Sequence, residues 1–546
     1  MRHGGQILVD QLKIQGVERA FCVPGESYLA ALDGLYESGI DVVICRQEGG
    51  AAMMAEAQGK LTGKPGICFV TRGPGATNAS AGVHIADQDS TPMILFVGQI
   101  GRYMTDREAF QEVDYRAMFG DLAKWVAQIE DVNRIPEYVS HAFHIATSGR
   151  PGPVVLALPE DMLSSSADVE DVKAAVRIEA RANADDAALI ADELKQAKKP
   201  IVMIGGGGWN EQAAADVQQF AEAFHLPVIA SLRCQDYIDN RSSSYIGDAG
   251  LGINPNVANA IKDADLLMVL GSRLGEMTTA GYSLVNIPSP KQRLLHVYPG
   301  PDELGRVYRP DVAINASVPS LLTKLKELPA PNDMPWAEQT ATHRANYEAW
   351  LEPEDTLGDV KLEQVIAHVR SEIPENGFIT VGAGNYSNFV QRYSWFLKYR
   401  TQLAPTSGSM GYSVPSAIAA KLHHPDREVV CFAGDGCFMM HGQELATAVQ
   451  YGANVIVIVC NNSMYGTIRL HQERKYPGRV SGTTLHNPDF AVLAHAYGGF
   501  GIKVERQEDF PAAFEAARNS GKLALIELAL DDRAFTPKVS METLRS

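Results

Sequence analysis

The sequence predicts an α/β protein built from three doubly wound parallel-sheet domains. Three observations point there. Short, non-alternating apolar runs recur along the chain with helical patterns between them, as strands buried on both faces of a parallel sheet require. Two polar or proline-rich breaks divide the series. The length, 546 residues, exceeds what one hydrophobic core normally holds.

In chain order, VVIC (42–45), GICFVT (66–71), MILFVG (93–98) and VVLALP (154–159) supply strands of a first domain, expected over 1–165. The stretch after VVLALPEDM, SSSADVEDVKAAVRIEARANADD, carries no core pattern and reads as a linker. IVMIGG (201–206) and LLMVLG (266–271) belong to a central Rossmann-like domain over 185–328. Its glycine run, IVMIGGGGW, has low specificity as a nucleotide signal. LPAPNDMP (328–335) and a polar stretch to about 358 form the second break. VVCFAG (429–434) and VIVIVC (455–460) then mark a third domain over 358–546.

Composition narrows the class. A net charge of −17 with no cluster of Lys and Arg argues against nucleic acid or an anionic membrane as partner. The seven cysteines are scattered, odd in number and without a CxxC pair, which disfavours zinc and disulfide frameworks. The opening MRHGGQILVDQLK lacks a signal-peptide core. No apolar run reaches the ~18 residues a membrane span needs. A cytoplasmic location is the expectation.

Chemistry concentrates in the third domain. Gly434-Asp435-Gly436 closes one apolar strand, a helical stretch follows, and the next strand ends in Asn461-Asn462. In a parallel β-α-β unit, the separation of Asp435 and Asn462 returns the chain to the same carboxyl edge, where ligands bind. A carboxylate and an amide oxygen are hard ligands that suit Mg²⁺ or Ca²⁺ holding a diphosphate. Glycines let the backbone approach phosphate oxygens, and the following helix N-terminus favours an anion.

This segment, GDGCFMMHGQELATAVQYGANVIVIVCNN, resembles the thiamine diphosphate motif of acetolactate synthases, pyruvate decarboxylases and pyruvate oxidases. The resemblance implies a pyrimidine-binding first domain, a central Rossmann-like domain and a diphosphate-binding third domain. It implies that Asp435, Asn462 and the backbone carbonyl of Met464 bind the metal. Gly434, Gly436, Tyr465, Gly466 and Cys437, which replaces a small hydroxyl residue, then face the diphosphate. VGAGNYSN (381–388) is similar to the family's diphosphate loop, implying contacts from Gly384, Asn385 and Tyr386. TSGSMGYSVPSAIAA (406–420) matches the segment in which Gly408 precedes a bulky residue, Met410, that props the cofactor into its V shape. FCVPGESYLAALDGL (21–35) looks like the family's segment beside the pyrimidine, with Pro24 and Gly25. In RQEGGAAMMAEA (46–57), Glu48 occupies the position of the glutamate that relays a proton to the aminopyrimidine, and Gln47 replaces the usual His. Glu48 is expected to be a largely buried carboxylate whose pKa its pocket sets.

Within the family the chain looks most like the acetolactate synthase branch, through TRGPGATNASAGVHIADQDSTPMI (71–94), AFQEVD (109–114) and RPGPVVLALPEDM (150–162). That implies a carboligase or decarboxylase acting on a 2-oxo acid or related carbonyl donor, a transferase or lyase dependent on Mg²⁺. Phe110 and Gln111 fall where that branch lines the substrate side of the cofactor. Ser27, His84 and Gln88 are further substrate candidates. The resemblance also implies at least a homodimer, and a dimer of dimers, with Glu48 and Asp435 of one site on different chains. The stretches matching the branch's flavin segments, GLGINPN (250–256) and SRLGEMTTAG (272–281), keep Arg273 but lack the acidic pair and second Arg. FAD, an ADP-like ligand or no ligand stay open there. Two other readings remain: a nucleotide-dependent oxidoreductase on the same layers, and a cofactor-binding homologue without turnover.

Overall fold

A computed structural model describes residues 1–545. Each of the three segments holds one six-stranded, all-parallel sheet. In the first, the order is Asp41–Ile44, Arg19–Cys22, Gly66–Val70, Met93–Gln99, Pro153–Pro159 and Trp125–Gln128. The central sheet runs Tyr245–Ala249, Val228–Ser231, Pro200–Ile204, Leu266–Leu270, Arg293–Val297 and Val312–Ile314. The third runs Gln402–Leu403, Phe378–Val381, Val429–Gly434, Ile456–Asn461, Ala524–Ala529 and Phe500–Val504. Central strands such as Met93–Gln99 and Leu266–Leu270 are buried along their whole length, which explains why they read as unbroken apolar runs. Among the described residues, no helix is long and apolar enough to cross a membrane.

The first and third domains share one core. The Glu48–Thr62 helix, rich in alanine and glycine, packs on the Ser413–His423 helix, and Ala51, Ala52, Ala55, Ala417 and Ala420 are all fully buried. Small side chains let these backbones approach closely. At Gly82, on the adjoining Pro74–Asp89 helix, a Cβ would lie 2.4 Å from that of Ala52, so no larger residue fits. A buried polar cluster pins the junction: Glu56 accepts from Tyr412 (2.6 Å) and Thr91 (2.7 Å), and Lys60 pairs with Asp89.

The two expected breaks are structured. Ser166–Ala167 pairs antiparallel with Arg2–His3, and Gln11 exchanges hydrogen bonds with the backbone of Val172, so the linker is strapped along the first domain. The polar stretch after 328 contains the Ala337–Trp350 helix, whose Tyr347 joins Trp336 and Leu351 in the central core.

Candidate active site

The third sheet assembles the site through its register. Gly434 pairs with Cys460 across the two neighbouring strands, so Asp435 and the Asn461-Asn462 pair leave the sheet side by side. On the other flank Val381 pairs with Phe432, which brings the loop from Gly382 to the same edge. The carboxyl ends surround a cavity of about 280 Å³, and every third-domain residue named from the sequence, from Gly384 to Gly466, lines it.

Asp435 is almost fully buried, 3% exposed. Its Oδ1 accepts from the Gly436 N–H (2.9 Å) and its Oδ2 from Asn487 Nδ2 (2.7 Å). Burial pushes its carboxyl above the usual range, against the pull of these donors. Asn487 also donates to Asn461 Oδ1 (3.0 Å), and Asn461 donates to the buried Glu527 (2.9 Å). The segment carrying Asn487 fixes the loop around Met464: Leu485 N–H donates to the Ser463 carbonyl (2.8 Å) and Tyr465 N–H to that of Thr483 (2.9 Å). Ser463 adopts a left-handed φ of 55°, strain of the kind that gathers at functional sites. Asn487, Asn461 and Glu527 were not singled out from the sequence. The one available signal was the Asn487-Pro488 pair.

The donor set suits a hard divalent cation: Asp435 and Asn462, with a carboxylate and an amide oxygen, and Met464, with its backbone carbonyl, all line one cavity. Asn385 Nδ2 is buried there with no partner, a donor left over for an anion. A Cβ on Gly436 would come within 2.6 Å of the Tyr465 ring, so only glycine keeps that wall open. Tyr386 donates to Cys437 Sγ (3.5 Å), which also accepts the Gly411 N–H (3.1 Å). These residues fit a metal-held diphosphate.

The first-domain residues gather elsewhere, around the turn at 71–75. Ser27 Oγ meets Thr71 Oγ1 at 2.8 Å, and a Cβ on Gly25 would touch Thr71 at 2.4 Å; Pro24, beside them, is exposed. Glu48 accepts from Asn78 Nδ2 (2.9 Å). Gln111, at a left-handed φ of 66°, abuts Gly73, and the Phe110 carbonyl accepts from Arg72 (3.3 Å). None of these residues lines the third-domain cavity of the same chain. Within one chain Glu48 is half-buried, and the third domain takes hold of its neighbour. Gln47 caps the helix through Gly50 N–H (3.1 Å), meets His441 Nε2 at 3.1 Å, and its own N–H donates to Glu444 (2.9 Å). His84 and Gln88 line a different cavity, between the first and central domains.

The two stretches matched to flavin segments part company in the structure. Residues 272–278 line the cavity with His84, whereas Gly252 and Asn254 line a separate pocket of about 10 Å³ beside Asn388. Within one chain these two stretches line different cavities.

Three family models match in turn: the thiamine pyrophosphate enzyme N-terminal TPP binding domain over residues 2–118, its central domain over 187–325, and its C-terminal TPP binding domain over 382–528. The chain is 29% identical to the acetolactate synthase isozyme 2 large subunit of Escherichia coli, covering 97% of this chain and 96% of the relative. It is 30% identical to the acetolactate synthase large subunit of Corynebacterium glutamicum (98% and 88% covered). It is 31% identical to the acetolactate synthase of Mycobacterium leprae (94% and 85%). The three matches stand in family order, so each of the three sheets belongs to a thiamine pyrophosphate enzyme domain. The chain belongs to the thiamine diphosphate-dependent enzymes and is a carboligase of their acetolactate synthase-like branch.

Proposed function

We propose that this carboligase acts on a 2-oxo acid or related carbonyl donor, as a Mg²⁺-dependent transferase or lyase of the cytoplasm. The observation that carries the reading is the convergence of Asp435, Asn462 and Met464 on one cavity with the unpartnered Asn385 amide. Asp435, Asn462 and the Met464 carbonyl hold the cation, while Asn385 and the Gly436 backbone receive the diphosphate. Bound thiamine diphosphate supplies a nucleophilic carbon and an electron sink for chemistry beside a carbonyl. Glu48 holds and returns the proton at the pyrimidine, a relay for which its carboxylate, hydrogen-bonded to Asn78 alone among the described residues, is free on one side.

The working unit in this proposal is at least a dimer, and a dimer of dimers at full assembly. Support comes from the cavity walls, which hold no first-domain residue of the same chain. Exposed apolar side chains also flank both half-sites: Phe110 is 78% exposed, Ile468 55% and Met439 51%. A second chain would bring its Glu48, Phe110 and Gln111 to the cavity and cover them. The test is a panel of 2-oxo acids, aldehydes and acyl-CoA thioesters offered to the holoenzyme, with products identified by mass spectrometry. A new C–C bond or a released aldehyde from a 2-oxo acid is expected. Turnover of no member of the panel, by protein shown to hold the cofactor, would contradict the proposal.

A further inference from the structure

His441 closes the short Asp435–His441 helix that Asp435 opens. Its ring bridges two segments from different domains. Nδ1 meets the Gly411 carbonyl at 3.2 Å, and Nε2 meets Gln47 Oε1 at 3.1 Å. Gly411 follows Met410, which lines the third-domain cavity, and Gln47 precedes Glu48. The ring is wedged as well as bonded. A Cβ on Gly411 would lie 2.4 Å from Nδ1, and one on Gly49, the residue after Glu48, 3.0 Å from Nε2. Glycine on both sides lets the two backbones close on the imidazole, so the width of the ring sets their separation. The Gly411 peptide is held at its other end as well: its N–H donates to Cys437 Sγ (3.1 Å), one turn before His441 in the same helix.

Both partners of the ring are acceptors. The Gly411 carbonyl can only accept, and Gln47 Oε1 already accepts the Gly50 N–H (3.1 Å) as the cap of the Glu48–Thr62 helix. Burial pushes the imidazole below its usual range, so near pH 7 it is neutral and carries one N–H. With the proton on Nδ1 the ring donates to the Met410 turn; with it on Nε2 the ring donates to the helix cap. The packing against Gly411 and Gly49 is the same in either form.

We propose that His441 is a positioning residue that holds the Met410 turn and the start of the Glu48 helix at a fixed spacing. The inference rests on the function proposed above in one respect, that both elements serve the cofactor. In the assembly proposed there the two ends belong to neighbouring sites. Each site is then set by two His441 rings, its own at Met410 and a second chain's at Glu48. A shift of one ångström or less in either element is enough to slow chemistry that depends on alignment.

Three substitutions separate the contacts. His441→Asn keeps an amide N–H close to the place of Nδ1, His441→Gln keeps one close to the place of Nε2, and His441→Ala removes both. Hydrogen exchange by mass spectrometry on the full chain, with and without cofactor, reads the spacing independently of activity. In His441→Ala, peptides spanning 408–413 and 47–52 should both exchange about fivefold faster or more. His441→Asn should restore protection to the first segment and His441→Gln to the second. In holoenzyme saturated with thiamine diphosphate and Mg²⁺, exchange of the thiazolium-carbon proton, quenched in acid and read by NMR, should slow by about tenfold to 100-fold in His441→Ala. The slowing should be smaller in His441→Asn and His441→Gln. Unchanged protection of either segment in His441→Ala would overturn the inference. So would faster amide exchange with a thiazolium rate within about twofold of the parent, which makes His441 merely structural. A parent that exchanges no thiazolium proton would count against the function proposed above, and the amide measurement then decides the spacing alone.

Discussion

Glu444 should prove to be the residue that sets the start of the Glu48 helix. It is fully buried, 0% exposed, and its Oε1 accepts the N–H groups of Arg46 (3.0 Å) and Gln47 (2.9 Å), the two residues before Glu48. Its Oε2 takes the Thr447 hydroxyl at 2.5 Å. Burial pushes its carboxyl upward while these donors pull it down. Glu444→Ala strands two backbone donors, at roughly 1–3 kcal/mol each. Relief from burying a carboxylate offsets part of that loss. A net local cost of about 2–4 kcal/mol remains, equivalent to about 30- to 1000-fold faster exchange of amides that open locally. Glu444→Gln keeps an oxygen acceptor in place and should cost about 1 kcal/mol. Hydrogen exchange by mass spectrometry on peptides spanning 44–50 measures this directly. Protection within about threefold of the parent in a folded Glu444→Ala protein would refute the assignment.

Three further outcomes are expected. Asp435→Ala should lose cofactor, not fold, because the sheet is complete without it while the diphosphate loses its cation bridge; cofactor retained through metal-free gel filtration would speak against the motif. Purified protein should carry no flavin near equal molarity, since residues 250–256 and 272–281 lack the acidic pair and second Arg of the flavin segments they match; a stoichiometric flavin spectrum would reverse that reading. Burial pushes the Asp236 carboxyl up to about 6, above an unfolded value of about 3.9. Its stabilising contribution is therefore complete below about pH 4 and is lost as pH rises through about 6, on the order of 3 kcal/mol. Asp236→Asn, which can still accept from Thr401 and Gln402, should flatten that part of the profile in melting curves between about pH 4.5 and 7; parallel curves would count against it.

The sequence made the middle strands of each sheet legible because they are apolar from end to end. Edge strands were harder. Trp125–Gln128 is half-buried at the rim of its sheet, and Gln402–Leu403 has two residues. The Ala337–Trp350 helix lay hidden in a stretch read as polar because only Thr340 and Tyr347 are buried in it, too few for an apolar stripe. At the site, Asp435 and Asn462 could be read because adjacent strands in one β-α-β unit present them. What stands behind them could not. Asn487 reaches Asn461 across 26 positions and Glu444 reaches Arg46 across 398, and no local pattern encodes such pairs. His84 and Gln88, one helical turn apart, do share a face, but that face turns toward the central domain.

The central claim is that one working site takes Glu48 from one chain and Asp435 from another. Mixing Glu48→Gln with Asp435→Ala protein, each inactive alone, tests it most directly. Random reassortment makes about half of the dimers mixed, and each mixed dimer holds one site with both residues intact. Recovery of roughly a quarter of the parent activity is the predicted result. No recovery, once subunit exchange has been verified by mass spectrometry, would contradict it.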